Sequence, residues 1–244
     1  MSDDTRRGEP ADGPAPGTVD VWWAPLEPPA PPGALLRAYL SPDEHRRAER
    51  FVRDRDRVRF VAGPAFLRLL LGRCLGEDPR GLVFRYGPNG KPELEGPPRG
   101  LAFNLAHSDT LAVCALARGH DALGVDVERV RPMADTEGVA RVAFRPGEVA
   151  RLVSLPEPQR LRGFYEAWTR NEALLKALGW GLGRPFDDPA EGERLSLHAF
   201  ELEGDHLGAV AVAGSRRRLR HARAHCDFYL PTDDLSAEQV FHDY

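Results

Sequence analysis

The stretch Trp168-Thr-Arg-Asn-Glu-Ala-Leu-Leu-Lys-Ala-Leu-Gly179 has the residue spacing of an α-helix, and Gly179 is a typical residue for such a helix to end on. Trp168, Glu172 and Lys176 follow one another at intervals of four, so they stack along one helix face. An exposed glutamate–lysine pair at this spacing contributes only about 0.2–0.5 kcal/mol. Two interpretations are open: an exposed ion pair, or a charged site on a helix that also packs into a core.

Lysine usage favours the charged site. The chain has 33 lysine and arginine residues together, and only Lys91 and Lys176 are lysines. Arginine does not replace lysine where a compact, flexible point charge is needed. A chain that otherwise uses arginine is therefore expected to need its lysine at position 176 for a specific contact.

The composition is that of a soluble globular protein. Of the 244 residues, 42% are hydrophobic and 29% are charged, and the net charge of −4 gives no basic field that would indicate nucleic-acid binding. No apolar run approaches the ~18 residues of a membrane span, and the polar N-terminus has no signal region. The three cysteines, Cys74, Cys114 and Cys226, lack the spacing of a disulfide framework or a zinc site. We expect a cytoplasmic protein.

The hydrophobic pattern predicts strands in both halves of the chain. Residues 1–18, rich in proline, glycine and aspartate, are expected to form a disordered tail. Loops or turns are predicted at Pro25–Gly33, Gly87–Pro92 and Arg118–Asp121. Seven strands are predicted, and the fourth is apolar on both faces and therefore buried: Val19–Trp23, Leu82–Tyr86, Leu101–Leu105, Thr110–Ala117, Leu123–Val127, Leu195–Leu202 and Leu207–Val212.

Helices are predicted between these strands. Ser41 can cap a first helix and Glu44 completes a capping box. A basic helical region is expected from His45 to about Arg59, followed by an apolar helix at Phe60–Leu75 with a bend at Pro64. Further helices are predicted at Pro146–Val153 and Pro158–Leu178.

A faint internal echo suggests duplication. Ala65–Gly72 and Ala173–Gly179 both run from an alanine through leucines and a cation to a glycine, and each half has the order strand, helices, strands. We therefore predict an α+β pseudo-dimer of two similar α/β halves, residues 19–120 and 121–215, followed by a C-terminal extension at 216–244. The basic run at Arg216–Arg223 is short, and we interpret it as a solvated edge.

The stretch Gly124-Val-Asp-Val-Glu128 places two carboxylates on one face of a predicted strand. Asp126 and Glu128 are about 6.6–6.8 Å apart along such a strand and repel each other without a cation. A solvent-facing edge strand and a hard-cation site are both open interpretations. In the second, Glu172 would supply a third oxygen ligand to Mg²⁺. Gly124 would let another group approach the backbone closely.

Several cations and donors near predicted strand and helix ends are suited to a phosphorylated ligand. His107 and Ser108 follow a strand, and Lys91 lies in a Gly-Lys-Pro turn. Arg46, Arg47 and Arg59 border the first long helix. Each alone is typical of a solvated surface, but together they would supply contacts to a multiply phosphorylated ligand.

Three ordered motifs resemble those of the Sfp-type 4′-phosphopantetheinyl transferases, which are holo-carrier-protein synthases. The motifs are Phe103-Asn-Leu-Ala-His-Ser108, Gly124-Val-Asp-Val-Glu128 and Trp168-Thr-Arg-Asn-Glu-Ala-Leu-Leu-Lys176. The Gly90-Lys-Pro92 turn and the region from Arg47 to Gly63 also match, and the similarity runs from about Val19 to Gly214. The resemblance implies the phosphopantetheinyl transferase fold, a pseudo-dimer of two α+β halves. It also implies Mg²⁺-dependent transfer of the phosphopantetheine arm of coenzyme A to a serine of an apo carrier protein, with release of 3′,5′-ADP.

The resemblance also implies residue roles. Asp126, Glu128 and Glu172 would hold Mg²⁺. Glu172 would also act as base for the carrier serine, directly or through water. Lys176 would neutralise the diphosphate, so that the catalytic set is Asp126, Glu172 and Lys176. The coenzyme A contacts would come from Arg47, Arg59, Lys91, Pro92, His107, Ser108, Asp126 and Lys176. The expected partners are acyl, peptidyl or aryl carrier domains of fatty-acid, polyketide or nonribosomal peptide synthesis, and we expect a monomer.

Two positions depart from the family pattern. Asn171 stands where the family usually has lysine, and Ala106 where it tends to have serine. These changes remove a charge and a hydroxyl near the expected ligand, so we expect an active enzyme with weakened coenzyme A binding. A coenzyme A-binding protein of the same fold with little transferase activity is the alternative. A purely structural domain with surface charges is a third interpretation.

Overall fold

The structure is a computed structural model that describes residues 13–27, 33–87, 90–96, 100–119, 122–180, 195–214 and 218–223. The helices are α1 Gly33–Arg37, α2 Pro42–Ala48, α3 Asp54–Leu75, α4 Thr136–Ala143, α5 Pro146–Ser154 and α6 Glu157–Leu178. The strands are β1 Thr18–Pro25, β2 Phe84–Tyr86, β3 Pro92–Leu94, β4 Leu101–Ser108, β5 Leu111–Arg118, β6 Leu123–Arg129, β7 Leu195–Leu202, β8 His206–Ala213 and β9 Arg218–Arg223.

Two sheets pack face to face and each carries a long helix on its outer face. The N-terminal sheet has the strand order β4-β5-β1-β9 and the C-terminal sheet has the order β6-β8-β7. The central apolar layer joins Val21 and Val113 of the first sheet to Val125 and Val210 of the second. This arrangement of two α+β units agrees with the predicted pseudo-dimer fold.

The outer layers repeat the same packing in each half. Phe66 and Leu70 of α3 share a core with Trp22 and Cys114 of the N-terminal sheet. On the opposite side, alanines of α6 pack against alanines of the C-terminal sheet, namely Ala173, Ala177, Ala209 and Ala211. Successive strand residues therefore face different layers, as the period of two requires.

Gly124 determines how closely α6 packs on β6. A methyl group at this position would lie 2.1 Å from the Ala173 carbonyl oxygen and 2.4 Å from the Ala177 nitrogen. The close approach that the sequence predicts at Gly124 is therefore made by the backbone of α6. This close packing places α6 directly against β6, the strand that carries Asp126 and Glu128.

The N-terminal helices are shorter and differently divided than the sequence predicts. The capping box is confirmed, since the Ser41 hydroxyl accepts from the Glu44 N–H and the Glu44 carboxylate accepts from the Ser41 N–H. The basic helical region predicted from His45 to about Arg59 is helical at both ends but interrupted between them, since α2 ends at Ala48 and α3 begins at Asp54. Between them Phe51 packs on Phe60, with ring centroids 5.1 Å apart, and its carbonyl accepts from Arg57.

The two 22-residue helices end alike; α6 ends at Gly179 as predicted, but α3 does not end at Gly72, the other glycine of the sequence echo. Gly76 and Gly179 have φ values of 66° and 70° at the C-caps of α3 and α6. Gly72 lies inside α3, where a methyl group would come within 2.7 Å of Pro79. The proposed equivalence of Gly72 and Gly179 is therefore wrong, while α3 remains continuous through Pro64.

The predicted strands are all present, with shifted ends, and the strands β3 and β9 and two helices were not predicted. The Gly87–Pro92 turn closes a β2–β3 hairpin in which Pro92 already belongs to β3; residues 88–89 lie outside the described residues. The helices α1 and α4 are additional, as is β9, which lies at one edge of the N-terminal sheet. Residues 120–121 and part of the Pro25–Gly33 loop also lie outside the described residues.

Both ends of the described chain contact the N-terminal sheet. Arg118 donates to the Pro14 carbonyl at 2.8 Å, while residues 1–12 of the expected disordered tail lie outside the described residues. Part of the expected C-terminal extension forms β9, which pairs in parallel with β1, and Arg220 there donates to the buried Asp20 at 2.7 Å. The division into halves at 120/121 remains a prediction. None of the described helices is long and apolar enough to cross a membrane.

Candidate active site

A buried carboxylate and a lysine meet where α6 covers β6. The Lys176 Nζ donates to Asp126 Oδ1 at 2.6 Å, and Asp126 is only 5% exposed. Its second oxygen, Oδ2, has no hydrogen-bond partner among the residues that the structure describes. Burial raises the pKa of Asp126 to about 7 against the opposing effect of Lys176. The solvent-facing interpretation is therefore wrong for Asp126.

Two further carboxylates act on the same site. Glu128 and Glu172 both raise the pKa of Asp126, which places the three negative groups within electrostatic reach of one another. Burial raises the pKa of Glu172; Lys176 opposes this shift and Glu128 adds to it. An acidic cluster with an unpartnered buried oxygen fits the chemistry of a hard cation. Within the described part of the chain, however, no three acidic, histidine or cysteine side chains converge closely enough to form a metal site.

Side chains of β4 join the two sheets at the edge where this site lies. The buried Asn104 accepts from the Val125 N–H through Oδ1 at 2.8 Å. Four residues on, Ser108 Oγ accepts from the Arg129 N–H at 3.2 Å and lies 2.6 Å from Glu128 Oε2. These bonds fix β6 against β4. The sequence pattern predicts Ser108 near a phosphate and assigns no role to Asn104. Asn104 nevertheless stands in the middle of a predicted strand, where a buried side-chain amide needs a hydrogen-bond partner.

Lys91 reaches from the β2–β3 hairpin to the C-terminal half. Its Nζ donates to the carbonyls of Leu123, at 3.0 Å, and of Lys176, at 3.1 Å. Burial lowers the pKa of this ammonium. Lys91 therefore ties the start of β6 to the last turn of α6. Its predicted contact with the adenine end, and that of Pro92, remain predictions.

Replacing Lys91 with methionine is expected to lower the free energy of unfolding by about 1–2 kcal/mol, because two carbonyls lose a charged donor. Urea unfolding measures the loss. The matched control is Arg85→Met in the same hairpin, where the exposed pair with Glu93 predicts a change of about 0.5 kcal/mol or less. Equal losses in the two variants would contradict the role given to Lys91.

Of the other predicted ligand contacts, His107 lies beside the acidic cluster, whereas Arg47 and Arg59 make contacts with other residues. His107 is exposed, but the protein atoms around its ring and the charge of Lys176 lower its pKa, which puts it within electrostatic reach of that ammonium. Arg47 is exposed and lies over the Phe60 ring at 5.2 Å. Arg59 contacts Glu27 at 2.6 Å and Asp109 at 3.3 Å, so carboxylates already compensate its charge.

Asp109, directly after Ser108, is a further charged residue near the site, and the sequence pattern assigned no role to it. It has a positive φ of 51° in the β4–β5 turn, and it also pairs with Arg129 at 2.5 Å. The sequence signal for this turn was the aspartate directly after His107 and Ser108, since aspartate tolerates the left-handed backbone conformation that turns use.

Trp168 anchors the functional helix, as its spacing predicts. Its ring lies 5.7 Å from that of Phe164 and 6.3 Å from that of Phe144, within the cluster where α4, α5 and α6 pack together. Trp168, Glu172 and Lys176 thus combine a packing residue with two charged groups of the site.

The two departures from the family motifs point away from the acidic cluster. The Asn171 amide donates to Glu148 of α5 at 3.3 Å, and the Ala106 side chain packs in the core between the two sheets. A serine at position 106 would therefore place its hydroxyl beside apolar groups. Their expected effect on coenzyme A affinity remains a prediction.

The site brings the buried Asp126, two partly buried glutamates and Lys176 together at a seam between two α+β units, with His107 beside them. Charge arranged in this way is typical of enzymes that transfer a phosphate-bearing group, which need positioning and charge neutralisation more than covalent chemistry. The fold and site thus define a transferase of this kind.

Comparisons with known proteins assign the family. Residues 122–234 match the model of the 4′-phosphopantetheinyl transferase superfamily, and residues 23–118 match that of the 4′-phosphopantetheinyl transferase N-terminal domain. The chain is 39% identical to the 4′-phosphopantetheinyl transferase HetI of Nostoc sp., over 80% of this chain and 88% of that protein. It is 31% identical to a phosphopantetheinyl transferase of Thraustochytrium sp., over 81% and 79% of the two chains. It is 28% identical to the 4′-phosphopantetheinyl transferase gsp of Aneurinibacillus migulanus, over 63% and 62%.

The chain therefore belongs to the 4′-phosphopantetheinyl transferase superfamily. It is an enzyme that transfers phosphopantetheine to carrier proteins, as the sequence motifs predict.

Proposed function

We propose that this enzyme moves the 4′-phosphopantetheine arm of coenzyme A to a serine of an apo acyl, peptidyl or aryl carrier protein in a Mg²⁺-dependent reaction that releases 3′,5′-ADP. The observation that carries the proposal is the contact between Lys176 and the buried Asp126, with Glu128 and Glu172 acting on the same carboxylate.

Asp126, Glu128 and Glu172 are the proposed Mg²⁺ ligands. The unpartnered Oδ2 of Asp126 supports this role, because a buried oxygen without a donor is suited to a cation. When bound, Mg²⁺ would neutralise charge that grows on the diphosphate oxygens during transfer.

The side chains then have distinct tasks in the displacement. The carrier serine oxygen forms a bond to the phosphorus that bears the pantetheine arm, and the bond from that phosphorus to the bridging oxygen breaks. Glu172 takes the serine proton, and burial, which raises the pKa of Glu172, makes this carboxylate a stronger base. Lys176 stands beside the site to neutralise the leaving diphosphate oxygen, which departs with 3′,5′-ADP.

Coenzyme A is proposed to lie along the seam between the halves. His107 and Arg47 would contact the 3′-phosphate, with Ser108 nearby, and Arg59 would add positive charge there. Lys91 and Pro92 would flank the adenine. Asp126 and Lys176 would meet the diphosphate.

Intact-mass spectrometry of an apo carrier protein, after incubation with this enzyme, coenzyme A and Mg²⁺, tests the proposal. We expect a mass gain of one phosphopantetheine arm that EDTA abolishes. Binding of coenzyme A without any gain on acyl, peptidyl and aryl carriers would instead support the non-catalytic binder.

Cation affinity is expected to depend on pH. Mg²⁺ needs the ionised carboxylate, and the pKa of Asp126 of about 7 leaves it mostly protonated at pH 6 and mostly ionised at pH 8. We expect the Mg²⁺ midpoint in thermal-shift titrations to fall about tenfold from pH 6 to pH 8. Without metal, stability has the opposite pH dependence: the raised pKa of Asp126 stabilises the folded state fully below its ordinary value of 3.8, and this contribution falls as the pH rises from there and is lost once the pH passes about 7. In Asp126→Asn the pH dependence of Mg²⁺ binding should largely disappear, and its persistence there would exclude Asp126 as the titrating group.

We also propose that the enzyme acts as a monomer in the cytoplasm. The free thiols Cys74 and Cys114 are consistent with a reducing compartment. Carrier domains of secondary-metabolite synthesis, polyketide or nonribosomal peptide, are the proposed substrates.

A further inference from the structure

Ser108 holds two hydrogen bonds at the seam between the sheets. Its Oγ accepts from the Arg129 N–H at 3.2 Å and lies 2.6 Å from Glu128 Oε2. The residue is only 6% exposed. A serine hydroxyl has a single proton, and an ionised carboxylate can only accept, so Ser108 donates that proton to Glu128.

The geometry fixes the direction of this bond. With one lone pair of Ser108 occupied by the Arg129 N–H, the hydroxyl proton points to the carboxylate in a short, charge-assisted contact. Ser108 comes from β4 in the N-terminal half, and Glu128 comes from β6 in the C-terminal half. The N-terminal half therefore sets the orientation of a carboxylate in the other half.

Two neighbouring contacts hold the strands in the register that this bond needs. Asn104 Oδ1 accepts from the Val125 N–H at 2.8 Å, and Asp109 pairs with the Arg129 side chain at 2.5 Å. These two contacts therefore hold β4 against β6 on either side of the Ser108–Glu128 hydrogen bond.

We propose that Ser108 is a positioning residue that orients the Glu128 carboxylate for cation binding. The inference rests on the proposed function, because it takes Glu128 as a Mg²⁺ ligand. It replaces the expectation that the Ser108 hydroxyl contacts the 3′-phosphate. Groups that hydrogen-bond a metal-binding carboxylate fix its orientation, and their loss typically weakens affinity about 10–100-fold.

Mn²⁺ binding to the full chain, measured by electron paramagnetic resonance without coenzyme A, tests the proposal. We expect Ser108→Ala to weaken Mn²⁺ affinity about tenfold or more and Ser108→Thr, which keeps the hydroxyl, to restore most of it. Ser154→Ala, at an exposed serine that donates to the Arg151 carbonyl, is the matched control and should leave affinity unchanged. In a Glu128→Gln background, Ser108→Ala should add little further loss.

Steady-state kinetics then separate this role from a phosphate contact. A positioning role predicts that Ser108→Ala raises the Mg²⁺ midpoint of the transfer reaction while KM for coenzyme A, at saturating Mg²⁺, changes little. Unchanged Mn²⁺ affinity in Ser108→Ala, or equal losses with and without Glu128, would overturn the proposal while leaving the transferase function intact. Failure of the wild-type enzyme to modify any carrier, with the Mn²⁺ differences present, would instead count against the proposed function alone.

Discussion

Replacing Glu172 with alanine is expected to lower kcat/KM for carrier modification by about 10³-fold or more. The change removes the proposed base and one proposed Mg²⁺ ligand from a site where Lys176 and Glu128 already act on this carboxylate. Quantitative mass spectrometry of the modified carrier, over time and at several coenzyme A concentrations, measures the loss. The effect is expected mainly in kcat, because the base acts in the transition state.

The matched control lies on the same helix. Glu166 is half-exposed and pairs with Arg162 at 3.0 Å on the surface of α6, so Glu166→Ala is expected to retain activity within about twofold. Circular dichroism should show the same helix content in both variants. Activity of Glu172→Ala within tenfold of wild type would show that this carboxylate is neither base nor essential ligand.

Replacing Gly124 with alanine is expected to lower the free energy of unfolding by about 3 kcal/mol or more. The added methyl group would meet the Ala173 carbonyl oxygen at 2.1 Å, and that oxygen belongs to the backbone of α6 and has no rotamer with which to move away. The helix must then shift from β6, which also separates Lys176 from Asp126. We expect urea unfolding at a much lower midpoint and a loss of transfer activity in the protein that remains folded.

A second glycine provides the control for this substitution. A methyl group at Gly147, in the first turn of α5, has no neighbour within 4 Å among the described atoms, so Gly147→Ala is expected to leave stability unchanged or raise it by up to about 1 kcal/mol. A Gly124→Ala protein as stable as Gly147→Ala would mean that α6 and β6 are not in close contact.

Much of the site was predictable because strand and helix periods are short-range properties. The alternation in Gly124–Glu128 placed Asp126 opposite the apolar face of β6, and the spacing of four placed Trp168 and Lys176 on one face of α6. The break between α2 and α3 was not predictable in this way. Phe51 lies in the break and packs on Phe60, and this ring contact does not follow from the helical period. Ala106 and Asn171 were assigned to the ligand from motif position alone, and their contacts lie elsewhere.

The sequence by itself determined the family, the order of the seven predicted strands, the acidic strand and the helix with Glu172 and Lys176, since each of these depends on local periodicity and on motifs read along one segment. The tertiary structure decided what those residues touch. Lys91 binds the carbonyls of Leu123 and Lys176, and Ser108 binds Glu128, because the two halves pack through their sheets and bring together groups that are far apart along the chain. Such contacts depend on how two surfaces that are distant in the sequence approach each other, and the period of a single helix or strand carries no information about that approach.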